Sequence, residues 1–150
     1  MEPVETIRHN DVTYGIIVRA EFNRAGISFF TPNDFSQQLG FMRHPMGKVI
    51  EPHIHKPITR MVHFTKEVLI LRKGQLRIDF YTNEGQYLES RILNAGDVVL
   101  LSEGGHGFRV IEDVEMFEVK QGPYAGDQDK EYIDAVSENR IAVREERADA

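Results

Sequence analysis

The chain has 150 residues, 41% apolar and 28% charged, with a formal net charge of −6, an ordinary globular balance at the length of one domain. No apolar run approaches the ~20 residues that a membrane helix needs, and 24 acidic against 18 basic residues argue against nucleic acid as the main partner. Cysteine is absent, which removes disulfides, thiolate nucleophiles and sulfur ligands together, so any metal must sit on nitrogen and oxygen.

Residues 1–6 are acidic and lack the apolar core of a secretory signal, so the expected location is the cytoplasm. Strands are predicted over 12–18, 26–30, 49–55, 68–71, 76–81, 87–93, 97–101, 108–111 and 114–120, with turns at 31–34 and 83–85. Leu76, Ile78 and Phe80 alternate with Arg77, Asp79 and Tyr81, the pattern of an antiparallel strand with one solvated face. Strands this short and this frequent, punctuated by glycine, predict an all-β sandwich or barrel. After Gly122-Pro123 the pattern changes. Residues 129–136 read as one short helix with Tyr132, Ile133 and Val136 on its packing side, capped by Asp127 or Asp129. The polar end, 144–150, reads as frayed. The whole is read as a single domain, with a barrel core over about 12–120 and an extension over 121–150.

Three of the six histidines fall where a metal would need them. His53 and His55 stand two apart in a predicted strand, so both imidazoles leave one face and can converge on one ion. Glu67 heads the strand 68–71 on the same face as Leu69 and Leu71. An inward carboxylate is costly unless paired, and a metal is one of the few partners that favours it. His106 lies among Gly104, Gly105 and Gly107, which allow close backbone approach.

These residues resemble the two motifs of the cupin superfamily. Gly47, His53, His55, Glu67 and Gly74 follow the order of the first, and Gly96-Asp97 with His106 follows the second. The resemblance implies a double-stranded β-helix, or jelly-roll barrel, holding one divalent metal through His53, His55, Glu67 and His106. It departs from the pattern in three places. Eleven residues separate His55 from Glu67 where three or four are usual, Glu103 replaces a proline and Val110 replaces an asparagine. The wide spacing makes His63 the alternative to Glu67. Residues 118–124, followed by Asp129-Lys130, are similar to the tail of small cupin metalloproteins of the WbuC type, which are associated with polysaccharide gene clusters.

Three histidines and one carboxylate suit Fe(II), Mn(II), Ni(II), Co(II) or Zn(II), and open coordination positions suit a small polar ligand. Arg60, His63 and Arg109 are the expected substrate-binding groups, fit for an anionic or carboxylated molecule. Glu118, Lys120 and Tyr81 are the candidate catalytic groups. Three roles remain open: a metal-dependent isomerase, epimerase or oxidase, a ligand-binding module without turnover, and a structural dimer with a vestigial site. Two further expectations follow. Residues 56–66 form a lid, and the apolar segment 12–18 is an edge that extends a partner's sheet in a homodimer.

Overall fold

The computed structural model describes residues 3–145. Eight strands account for most of its regular structure: β1 (Val4–His9), β2 (Val12–Val18), β3 (Gly26–Phe29), β4 (Gly40–Arg43), β5 (Glu67–Tyr81), β6 (Tyr87–Asn94), β7 (Val98–Leu101) and β8 (Gly105–Lys120). The chain is all-β, as the density of short apolar runs predicts. No helix among the described residues is long and apolar enough to cross a membrane. Residues up to Phe22 together with those from Phe64 onward make one compact unit, and Asn23–His63 makes a second.

In the first unit every strand pairing is antiparallel, in the order β1-β2-β7-β5-β6, with β8 along β5. The first half of β5 lies between β7 and β8, and its second half between β6 and β8. The sequence reading divides β5 and β8 into two strands each; both run on through a bend. Three register shifts between Leu71 and Leu76 put that bend in the β5–β8 ladder, and such bulges are how a sheet curls toward a barrel. Gly74 sits at the corner with φ +86°, where an added Cβ would lie 2.0 Å from the Asp113 carbonyl oxygen, so only glycine fits. The curled sheet is a half-barrel. Its concave face holds Ile7, Ile17, Leu69, Leu71, Leu76, Ile78, Phe80, Leu93 and Val99, all buried.

One end of this interior is ionic. Glu5 is completely buried and accepts hydrogen bonds from Arg19 Nε, from Arg19 Nη2 at 3.1 Å and from Arg91 Nη1 at 2.6 Å. Arg19 Nη1 also reaches Asp97 Oδ2 at 2.9 Å, and Arg91 Nε reaches Glu89 Oε2 at 2.7 Å. Asp97 accepts in addition from the backbone N–H groups of Ala20 and Asn94, which fixes the Gly96-Asp97 turn expected at this point.

The other face of β5 departs from expectation. Arg77, Asp79 and Tyr81 are buried rather than half-solvated, because the C-terminal segment covers them. Residues 129–136 form no α-helix. The segment has 3-10 turns only at Gly126–Asp129 and Glu138–Arg140, and the intervening backbone is not helical. Its anchors explain this. Val136 N–H donates to the Tyr81 hydroxyl (3.0 Å) and Ala142 N–H to the Tyr87 hydroxyl (2.9 Å). Glu138 clasps Arg77 and Arg109, and Val143 bridges Ser90. Anchoring to the sheet at Val136, Glu138, Ala142 and Val143 overrides the weak helical spacing. Residues beyond Glu145, expected to fray, lie outside the described residues.

This strap makes a pH prediction. Hydrogen bonds from Arg77, with the nearby Arg109 charge, hold the Glu138 carboxyl below its ordinary range, and bonds from Thr65 and Lys120 do the same for Asp129. A depressed carboxylate contributes its stability above the unfolded-state pKa and loses it as pH falls through the lower folded value. The strap is therefore expected to stay clasped at neutral pH and to release only below the usual carboxylate range. Amide exchange of Val136 and Ala142 followed from pH 7 downward checks this, and Glu138→Gln, which cannot ionise, should loosen the clasp already at pH 7 and remove this group's share of the pH dependence.

Residues 12–18 are not an edge: β2 lies between β1 and β7. β1 is absent from the predicted strands because a charged residue, Glu5, points into the core.

In the second unit, β3 and β4 pair antiparallel from Gly26↔Arg43 to Phe29↔Gly40. Their connection is held by Gln38, whose Nε2 donates to the carbonyls of Pro32 and Phe35 at 2.9 Å each. β4 is another strand the reading overlooks. Residues 49–55, expected as a strand, make no ladder, and 56–63 are likewise without regular structure.

Candidate functional site

The curl decides the geometry. Glu67 opens β5 and pairs with Lys120, whereas His106 near the start of β8 pairs with Phe80 at the far end of β5. The two belong to opposite ends of one ladder. Their side chains nevertheless meet, with His106 Nε2 3.7 Å from Glu67 Oε2. Both are on the concave face, since side chains directly opposite in a ladder share a face and Phe80 is in the core cluster.

Neither group behaves as it would in water. Burial is the main cause of a lowered pKa for His106, with Lys120 and Lys130 adding to it and Glu118 opposing it. The imidazole is thus neutral at pH 7, and its contact with Glu67 is not an ion pair. Burial likewise raises the Glu67 pKa, reinforced by the charge and hydrogen bonding of Glu118 and opposed by Lys120 and Lys130. Lys120 is itself held by Asp129 Oδ2 at 2.9 Å, and Asp129 also takes a hydrogen bond from Thr65. The cluster is an imidazole beside two carboxyl groups, with ammonium groups around them.

Of the residues singled out in the sequence, Glu67, His106, Glu118 and Lys120 come together in the first unit. Tyr81 and Arg109 lie on the other face of the sheet, where Tyr81 receives Val136 N–H and Arg109 Nη1 donates to Glu138 Oε1 at 2.8 Å. His53, His55, Arg60 and His63 belong to the second unit and are exposed. The rings of His53 and His55 lie edge to face with centroids 5.2 Å apart, so the spacing of two does bring the imidazoles side by side. His53 Nδ1 is 2.8 Å from the Glu51 carbonyl oxygen. A carbonyl only accepts, so Nδ1 is the donor in this contact. Asp129 and Thr65 are the site residues that sequence reasoning missed; the only signal was the Asp129-Lys130 pair in the C-terminal extension.

Among the described residues no three His, Asp or Glu side chains are grouped as a metal would need them. The pair Glu67–His106 does fit a shared ion in its donor chemistry, a carboxylate oxygen beside a neutral imidazole nitrogen. Compared with known proteins, the chain matches no protein-family model, no curated protein and no solved structure.

Proposed function

We propose that this is a cupin-like metal-binding protein whose half-barrel belongs to a jelly roll, and that it acts on a small polar molecule, sugar-derived or carboxylated, by isomerisation, epimerisation or oxidation. Glu67 and His106 are two of its metal donors, with His53 and His55 completing the set by the order and spacing of the motifs. The observation that carries the reading is the Glu67–His106 contact. Residues from opposite ends of a ladder meet on a buried face, in the two positions where the cupin pattern has ligands.

A divalent ion bound there supplies Lewis acidity and positions for the ligand's oxygen atoms. Around it, Glu118 is the carboxylate that takes or returns a proton, and Lys120, fixed by Asp129, holds an anionic group of the ligand. These acid–base groups beside the donor pair favour turnover over a purely binding or structural role.

Metal analysis tests the reading. The wild type is expected to carry about one ion per chain. Glu67→Ala and His106→Ala should each lower affinity by more than the roughly 10–100-fold that loss of an outer partner costs. Tyr81→Phe and Arg109→Ala, on the other face, should retain the ion. Full loading of both Glu67→Ala and His106→Ala would refute the site. Aerobic and anaerobic screening of sugar and hydroxy-acid ligands against Glu118→Gln then separates turnover from binding.

A further inference from the structure

We infer that the outer face of the β5–β8 ladder carries a binding site for a small hydroxylated organic acid, in which Arg77 and Arg109 take the carboxylate and Glu138 of the C-terminal strap occupies their place as a tethered stand-in. The site lies on the face opposite Glu67 and His106 and is independent of the metal reading.

Arg77 and Arg109 are direct partners in the β5–β8 ladder. Like charges placed opposite each other repel, and an anion between them removes the cost. Arg77 is buried and is aimed without help from the strap. Its Nε and Nη2 donate to Asp79 at 2.8 and 3.0 Å. Asp79 is held in turn by the Ser90 hydroxyl, and Ser90 by the Tyr87 hydroxyl at 2.8 Å. All four residues belong to β5 and β6, so the sheet itself fixes the guanidinium, and sites built on strands are more exact than sites built on loops. The Arg109 side chain stands open beside it, 57% exposed.

The carboxylate received there comes from outside the sheet. Glu138 accepts from Arg77 Nη1 at 2.9 Å, from Arg77 Nη2 at 3.1 Å and from Arg109 Nη1 at 2.8 Å. This is the forked arrangement by which arginine recognises a carboxylate. The Glu138 side chain is 59% exposed, in a three-residue 3-10 turn that buries nothing. The receptor is thus interior and braced, and its occupant is superficial and detachable. With Glu138 set aside, two guanidinium groups against the single carboxylate of Asp79 leave one positive charge, which a monoanion balances and a dianionic phosphate does not.

The body of such an acid has room. Ile92 lies directly opposite Arg77 in the β5–β6 ladder and lines a cavity of about 360 Å³ with Gln75, Asn94 and Arg144, a size within the range of small-molecule pockets. Gln75 Nε2 donates to Asn94 Oδ1 at 3.0 Å, a bond that uses one donor and one acceptor of the two amides and leaves the others for hydroxyl groups. A tethered carboxylate competes at an effective concentration of roughly millimolar order. A bare carboxylate below that concentration therefore leaves Glu138 in place, whereas an acid that also fills the cavity displaces it.

Acetate probes the fork and gluconate the whole site, with chloride at equal ionic strength as the blank. In Glu138→Ala, a change at an exposed position, acetate is expected to shift the Arg77 and Arg109 Nε–H resonances with an affinity at least about tenfold above that of the wild type. Adding Arg109→Ala should weaken the shift at Arg77 about tenfold or more. In the wild type, gluconate should bind about tenfold more tightly than acetate and speed amide exchange of Val136, and Asn94→Ala should remove that advantage. If Glu138→Ala does not fold, Glu138→Gln provides the same comparison. Chloride shifts equal to those of acetate, or inorganic phosphate binding more tightly than acetate, overturn the carboxylate site. Gluconate that binds the wild type no better than acetate overturns the assignment of a hydroxylated acid.

Discussion

Replacing Glu5 with alanine is expected to cost roughly 3–5 kcal/mol of folding stability, the loss seen when one partner of a buried ion pair is removed. Glu5 has no exposed surface and answers two guanidinium groups, Arg19 and Arg91, themselves buried. Asp97 and Glu89 each hold only one of them, so neither can take over the central position. Without Glu5, β1 loses its inward anchor and two cations face an apolar interior. Since domains of this kind are stable by only ~5–15 kcal/mol, the variant should stand close to unfolding. Glu5→Gln keeps the shape and part of the hydrogen bonding and should cost less. Urea denaturation of the three proteins measures the series, and a loss below about 1 kcal/mol for Glu5→Ala would mean that the network behaves as a surface one.

Gly74→Ala is the second change of large expected effect, and it acts on the site as well as on stability. Its φ of +86° is unfavourable for any side chain, and the new Cβ meets a backbone oxygen at 2.0 Å, which cannot rotate away as a side chain does. Together these should cost roughly 3–5 kcal/mol. A chain that folds despite this does so by opening the corner, which separates Glu67 from His106 and lowers metal affinity. Gly107→Ala is the control, since an added Cβ there meets nothing within 4 Å. It should be within about 0.5 kcal/mol of wild type. Equal melting temperatures and equal metal content for the two variants would show that the corner is not where the curl is set.

What could be read in advance divides along physical lines. The alternation of Leu76, Ile78 and Phe80 identified the core face of β5, because burial there follows the pleat. The turn at Gly96-Asp97 was legible from residue type alone. β1 was not, since Glu5 is buried by arginines that arrive from positions 19 and 91, and no local pattern announces so distant a partner. The strap failed differently. Tyr132, Ile133 and Val136 have helical spacing, yet the hydroxyls of Tyr81 and Tyr87 hold the segment drawn out, so tertiary anchoring overrode a weak local preference. At the site, Glu67 and His106 were found as residue types. Their meeting depends on a bend produced by bulges, and bulges leave little trace in a pattern of alternation. Thr65 and Asp129 have roles set by a contact between segments far apart in the chain, which is why they were overlooked.

The position of β5 has a kinetic consequence. It serves as template for three other strands, and only the pairing with β6 closes a short loop; the first pairs with β7 (Ile70↔Val98) and with β8 (Tyr81↔Gly105) both close long ones. β6 joins through the tight turn at residues 82–86, β7 follows along the first half, and β8 returns only after both. Loop-closure entropy therefore favours the β5–β6 hairpin first and leaves β7 and β8 to dock on it later. Until β8 docks, Glu67 has no imidazole before it. The chemical centre of the molecule is thus a late product of folding, and an ion captured there would be held by completed chains and ignored by partly folded ones.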